Sequence, residues 1–162
     1  MALTQIPDPD VLVHDFGLWA LCLNRNQDLL GRCYLLLRRP CTDPMALTPA
    51  EQADLLELIA LARRELPAEV HLQTPPNLWP LPVLPAALEA GIDDLGGIDS
   101  HDVINPVYPQ PGVEPLRLLL EDHGWQLLPR LCVHQAWLPW LPRRLQQRCQ
   151  AVARTLAARH GC

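Results

Sequence analysis

Short apolar runs alternate with polar and proline-rich turns through the first third of the chain. Residues 11–23 (VLVHDFGLWALCL) predict one or two strands, and the polar residues 24–31 supply the turn that ends them. Residues 32–40 (RCYLLLRRP) predict a buried strand, because a short apolar run is flanked by Arg and closed by Pro. The opening segment is therefore expected to be built of strands.

The strongest helical signal lies at residues 48–66. Thr48 is a typical N-cap, Pro49 suits the first helical position, and Glu51 stands three residues after the cap, which is the spacing of a capping box. Leucine, isoleucine and alanine then recur at helical spacing until Leu66 and Pro67 end the pattern.

Strand-like and helix-like patterns alternate over the rest of the chain. The predicted elements are a strand at 69–74, a helix at 82–91, a strand at 92–98, a helix at 114–123, an extended segment at 125–134 and an amphipathic helix at 141–160. This order predicts an α/β fold of alternating β/α units. It would form a parallel layer or a partial (β/α) barrel-like parallel sheet.

Composition narrows the class of protein. The chain has 162 residues, 49% hydrophobic and 19% charged, so it is expected to be globular. Its net charge of −5 argues against a nucleic-acid partner. All 13 basic residues are Arg, which excludes a Schiff-base lysine or a P-loop lysine in this chain. Neither a signal-peptide pattern nor an apolar run of membrane length is visible, so we expect a cytoplasmic protein with free thiols and no membrane partner.

Cysteine spacing bears on metal binding. None of the cysteines forms a CxxC or CxxxCxxC cluster, so a local zinc or iron–sulfur signature is absent and no metal ligand is predicted. The six cysteines are Cys22, Cys33, Cys41, Cys132, Cys149 and Cys162.

Three loops would follow the carboxyl ends of the predicted strands, where ligands meet β/α folds. They are residues 40–43, 75–77 and 96–105, and Gly96 and Gly97 would let the backbone approach a ligand closely. Asn, Asp and Gly also stabilise ordinary turns, so a binding loop and a structural turn both remain open from spacing alone. The polar residues of the loops are Asp43, Asn77, Asp99, His101, Asp102 and Asn105.

Four motifs in order carry a family resemblance. They are HLQTPPNL (71–78), AGIDDLGGI (90–98), INPVYPQP (104–111) and HGWQLLPRL (123–131). Together they resemble the C-terminal part of the radical-SAM subunit of deazaflavin (FO) synthase, over about residues 67–142.

The resemblance implies a (β/α) barrel that uses a four-iron–four-sulfur cluster, held on a CxxxCxxC loop, and S-adenosylmethionine. The implied reaction joins a pyrimidine ribityl amine to a tyrosine-derived radical to make the deazaflavin of coenzyme F420. The cluster motif does not occur in residues 1–66, so we expect no cofactor in this chain and no catalysis by it alone. We therefore expect a C-terminal portion of such a barrel, which self-associates or needs a partner that supplies the missing half. The residues expected to face the substrate are Asn77, Asp94, Gly96, Gly97 and Asn105.

Residues 14–40, followed by LTPAEQADLLELI (47–59), resemble the start of a histidine-triad (HIT) nucleotide hydrolase. That family needs a His-x-His-x-His strand, whereas this chain offers VHLQ at 70–73 and Pro40 where the family usually has His. The alternative function is therefore a degenerate HIT-like nucleotide-binding or hydrolase module without its triad. The expected domains are an HIT-like or early-barrel segment at 1–66, the FO-synthase-like part at 67–142 and a C-terminal amphipathic helix at 143–162.

Overall fold

The structure is a computed structural model that describes residues 10–27, 32–98, 106–133 and 135–160. The chain divides into two compact units, Met1–Gly112 and Val113–Cys162.

The first unit opens with a three-stranded antiparallel sheet in the order β1 (Val11–Asp15), β2 (Trp19–Leu23) and β3 (Cys33–Leu37). The prediction of strands within residues 11–23 is therefore confirmed. A tight turn separates β1 from β2, where Gly17 has a φ of +88° and donates its N–H to the Asp15 carboxylate at 2.9 Å. β2 is the buried centre of the sheet, whereas every residue of β1 is exposed.

β3 differs from its prediction in pairing and in burial. It was expected to be buried and to begin a parallel series, but it pairs antiparallel with β2, from Trp19 opposite Leu37 to Leu23 opposite Cys33. The connection at residues 24–32 explains the pairing, because a parallel neighbour needs a crossover longer than this. As an outer strand of the sheet, β3 is half-buried except for exposed Cys33.

Helix α1 (Pro49–Glu65) confirms the helix predicted at 48–66, including its capping box. Thr48 Oγ accepts a hydrogen bond from the Glu51 N–H at 3.3 Å, and Glu51 Oε2 accepts one from the Thr48 N–H at 2.7 Å. A short 3₁₀ turn, Pro44–Ala46, precedes the helix, and the Asp43 carboxylate caps it by accepting from the Met45 N–H at 2.8 Å.

The strands predicted at 69–74 and 92–98 are reduced to one isolated parallel bridge, Gln73 opposite Asp94. Between them lie a 3₁₀ turn, Pro76–Leu78, and helix α2 (Leu84–Ala90), which was predicted at 82–91. Gly91 ends α2 at a φ of +126°. The bridge is the part of the predicted parallel sheet that the described residues contain, so a barrel-like arrangement stays a prediction.

Most of the buried apolar side chains described in the first unit come from β2, α2 and the segment after α2. They include Trp19, Ala20, Cys22, Leu84, Pro85, Ala87, Ile92 and Leu95, and Pro76 joins them from the 3₁₀ turn before α2.

The second unit contains α3 (Val113–Asp122), a 3₁₀ turn (Gln135–Trp140) and α4 (Arg143–His160). Both helices were predicted, at 114–123 and 141–160. The extended segment predicted at 125–134 forms no strand over residues 125–133, which are the part of it that the structure describes. Within the described ranges, no helix combines the length and the apolar character needed to cross a bilayer.

Candidate functional site

The parallel bridge brings together two of the three loops that the sequence singled out. The Thr74 N–H donates to the Asp94 carbonyl at 2.9 Å, and the Asp93 N–H donates to the Leu72 carbonyl at 3.0 Å. The two segments therefore run side by side in the same direction, and their following loops begin at the same edge.

The Asp93 carboxylate contacts three other residues at this edge. Its carboxylate lies 2.8 Å from His71 Nδ1, accepts from the Leu72 N–H at 2.8 Å and lies 3.9 Å from the Arg63 guanidinium. Arg63 also donates to the Val70 carbonyl at 2.7 Å. His71 is therefore held in place by the Asp93 carboxylate but lies outside any strand, and Arg63 ties the end of α1 to this edge.

Asp94 shapes the loop that follows it. Its Oδ1 accepts from the Gly96 N–H at 2.6 Å and from Gln73 Nε2 at 3.3 Å. Gly96 has a φ of +71°, and a Cβ added there would lie 3.3 Å from the Gln73 amide. A side chain at Gly96 would therefore be strained, whereas a Cβ added at Gly97 would meet no atom within 4 Å.

Tyr108 links the loop at 75–77 to the third loop, at 40–43. Asn77 is 4% exposed and donates from Nδ2 to the Tyr108 carbonyl at 3.0 Å. The Tyr108 hydroxyl donates to Asp43 Oδ1 at 2.9 Å. Burial and the Asp43 carboxylate raise the pKa of Tyr108, so this phenol stays protonated at neutral pH and keeps donating.

Two of the predicted site residues, Asn77 and Asp94, hold neighbouring loops in place through hydrogen bonds. Asn77 holds the segment around Tyr108, Asp94 holds Gly96, and Gly97 stands in open space. Asn105 lies outside the described residues, as do His101 and Asp102.

An open cleft of about 720 Å³ lies in the first unit. Its lining comes from β3, the loop after β3, one face of α1, and the segments around the parallel bridge. The lining residues are Trp19, Leu35, Leu36, Leu37, Arg39, Pro40, Cys41, Thr42, Pro44, Leu47, Gln52, Leu55, Ile59, Gln73, Thr74, Leu78, Trp79, Pro80 and Ile92. Most of them are apolar, so the cleft is a candidate small-molecule site.

An ion pair between buried Glu51 and partly exposed Arg39 stands at the wall of this cleft. Arg39 Nε lies 2.5 Å from Glu51 Oε1, and Arg39 Nη2 lies 2.7 Å from Glu51 Oε2, so the pair is bidentate. Arg39 also donates to the Ala46 carbonyl at 2.9 Å. The guanidinium holds the pKa of Glu51 down at about 2 although the carboxylate is only 4% exposed. Glu51 is therefore ionised at neutral pH and neutralises Arg39.

Sequence reasoning found Glu51 only as a cap and missed Arg39, Gln52 and Trp79 as cleft residues. The signal for Arg39 was weak, because two arginines in a row after a strand are usually solvated. The Trp79 indole N–H donates to Thr74 Oγ1 at 2.7 Å, a contact across the Pro75-Pro76 turn that periodicity does not encode.

The implied iron–sulfur cluster does not fit the described residues. Cys22 is buried, Cys33 and Cys132 are exposed, and Cys41 and Cys149 are half-buried, all as free thiols. Among the described residues, no three side chains of the metal-binding types His, Cys, Asp and Glu come together to hold a metal ion.

The chain is similar to curated proteins named 7,8-didemethyl-8-hydroxy-5-deazariboflavin synthase. It is 48% identical to that of Trichodesmium erythraeum over 93 residues, which is 57% of this chain and 29% of the relative. It is 48% identical to that of Synechocystis sp. over 95 residues, which is 58% of this chain and 30% of the relative. It is 38% identical to that of Thermosynechococcus vestitus over 107 residues, which is 65% of this chain and 34% of the relative.

No protein-family profile matches the chain, and no solved structure matches it significantly. The relatives give no support to the histidine-triad interpretation of residues 14–66. The chain spans about three-tenths of the length of the curated relatives it matches. It therefore contains a region similar to part of a deazariboflavin synthase.

Proposed function

We propose that this chain is the C-terminal, substrate-side portion of a deazaflavin synthase in coenzyme F420 biosynthesis. The similarity to proteins of that name, 38–48% identical over more than half of the chain, carries the proposal. In this proposal residues 67–142 contribute late β/α units of a partial barrel, and the parallel bridge between Gln73 and Asp94 is the contact between two neighbouring barrel strands.

The substrate is a pyrimidine ribityl amine held by the loops that follow the bridge. Asp94 fixes the turn at Gly96, and Gly97 leaves open space for a ligand to approach the backbone. Asn77 holds the Tyr108 segment beside these loops, next to Asn105 in the sequence. These residues bind and orient the substrate, which joins a tyrosine-derived radical.

The chain alone does not start the radical reaction. The family's cluster needs three converging thiolates, and the described cysteines do not provide them. The catalytic machinery would therefore come from another polypeptide that supplies the rest of the barrel, or from a self-associated form. Exposed Val11 and Val13 on outer strand β1 would favour such an association.

Isothermal titration calorimetry with the pyrimidine ribityl amine tests the proposal. We expect saturable binding that Asp94→Asn weakens about tenfold, because the variant loses the carboxylate that orders Gly96. Asp122→Asn, on the exposed end of α3, is the matched control and should leave binding unchanged.

Two results would contradict the proposal. Saturable binding of AMP without binding of the pyrimidine would favour the HIT-like alternative. Reconstitution of this chain with iron and sulfide to a stoichiometric cluster that cleaves S-adenosylmethionine would refute its dependence on a partner.

A further inference from the structure

The apolar cleft of the first unit has a lining that adjoins the residues assigned to the pyrimidine substrate but does not include them. None of the described members of that set, Asn77, Asp94, Gly96 and Gly97, is among the residues that line it. Its volume of about 720 Å³ is that of a pocket for a small organic molecule. It is therefore a candidate site for a second small ligand.

Two tryptophans determine what the cleft offers to a ligand. The Trp19 indole N–H donates to the Glu51 carbonyl at 3.1 Å, and the Trp79 indole N–H donates to Thr74 Oγ1 at 2.7 Å. Because both N–H groups donate to the protein, neither is left to donate to a ligand in the cleft. Leucine and isoleucine side chains from β3 and α1 complete an apolar lining that suits a flat ring system.

Charge excludes ionic ligands. Among the described lining residues, Arg39 is the one with a permanent charge, and the buried Glu51 carboxylate neutralises it in a bidentate pair. An anionic ligand would compete with Glu51 for the guanidinium, and a cationic ligand would find no carboxylate among the lining residues that the structure describes. Either ion would lose hydration without gaining a counter-charge.

Polar side chains of the lining can still orient a neutral ligand. Gln52 contributes an amide and Thr42 a hydroxyl to the lining. An amide and a hydroxyl on an otherwise apolar wall are the few polar groups that fix a ligand's orientation. We propose that this cleft binds an uncharged, planar aromatic small molecule, stacked against Trp79.

A pair of fluorescent probes tests the charge preference on the full chain. Phenylnaphthylamine is neutral, and anilinonaphthalene sulfonate carries the same rings with an added sulfonate. We expect phenylnaphthylamine to bind saturably at a single site. The sulfonate should have a dissociation constant at least about tenfold higher. Equal or tighter binding of the sulfonate would overturn the proposal.

Substitution of Trp79 tests whether phenylnaphthylamine binds in this cleft. Trp79→Ala should weaken phenylnaphthylamine binding about tenfold, and Trp79→Phe should restore most of it, because the stacking surface returns. Trp140→Ala is the matched control, since Trp140 is 79% exposed in the second unit, and it should change nothing. Unchanged binding by Trp79→Ala would refute the assignment.

Alkylation of cysteines tests the position of the bound probe in the unsubstituted protein. Cys41 lines the cleft, whereas exposed Cys33 and Cys132 do not. Saturating phenylnaphthylamine should cause loss of iodoacetamide labelling at Cys41 and leave labelling at the other two unchanged, as mapped by peptide mass spectrometry. Undiminished labelling of Cys41 would place the probe elsewhere and refute the proposal. Binding of the pyrimidine ribityl amine is measured separately, so failure of either proposal leaves the other standing.

Discussion

Replacing Glu51 by Gln is expected to destabilise the first unit, because one carboxylate serves two structures at once. It pairs with Arg39 through two short hydrogen bonds and closes the capping box of α1 through the Thr48 N–H. Gln keeps the shape but loses the charge that makes these hydrogen bonds strong.

The magnitude follows from the pKa of Glu51. A fall from the ordinary 4.5 to about 2 corresponds to roughly 3–4 kcal/mol, at ~1.4 kcal/mol for each pKa unit. Because 26% of the Arg39 side chain is exposed, solvent screens part of the attraction, so we expect a loss of about 2 kcal/mol at pH 7.

Urea unfolding followed by circular dichroism measures this loss at several pH values. The folded pKa of Glu51 is depressed, so its stabilisation is fully present above pH 4.5 and disappears as pH falls through about 2. The difference in free energy of unfolding between wild type and Glu51→Gln should therefore shrink across that window. Glu57→Gln, exposed on the same helix, is the control. A difference under about 0.5 kcal/mol at pH 7, or one that persists unchanged to pH 2, would refute the reasoning.

Two further substitutions test packing, each beside a control that the chain supplies. Gly91→Ala should lower the free energy of unfolding by more than about 1 kcal/mol, because the φ is +126° and the new Cβ would lie 2.6 Å from Arg63 Cβ; Gly97→Ala, with open space around it, should change it little. Leu116→Ala should cost about 2–5 kcal/mol, because Leu116 is fully buried, whereas Leu118→Ala, at a position 50% exposed, should cost much less. Thermal unfolding measures all four variants. Equal losses at Gly91 and Gly97 would contradict the strain described at Gly91, and equal losses at Leu116 and Leu118 would contradict their difference in burial.

Elements with local signals were predictable from the sequence. Thr48, Pro49 and Glu51 specify the start of α1 within four residues, and the structure shows both hydrogen bonds of the box. Gly91 and Gly124 each follow a helix with a positive φ, a conformation that glycine adopts without strain. Such signals act between near neighbours, so a single sequence reveals them.

Strand pairing was less predictable because it depends on partners distant in sequence. The apolar run at 32–40 looked like a buried parallel strand, yet the short connection before it imposes antiparallel pairing with β2. The patterns at 69–74 and 92–98 did indicate parallel neighbours. However, only Gln73 and Asp94 form the bridge, since Pro75 and Pro76 end the first segment.

The cleft could not be predicted from the sequence, because its walls come from segments that are distant from one another along the chain. The family resemblances divide the chain at residue 66, but Arg63 contacts both Asp93 and the position of Gly91, so α1 packs across that division. The cleft likewise takes walls from β3 and α1 on one side and from Trp79 on the other. A site composed in this way changes when either segment changes. Arg63 is adjacent to neither indole in the sequence, but its substitution would move α1 relative to the segment around Asp93. We therefore expect it to change the affinity of the cleft for phenylnaphthylamine, as measured by titration of the probe's fluorescence.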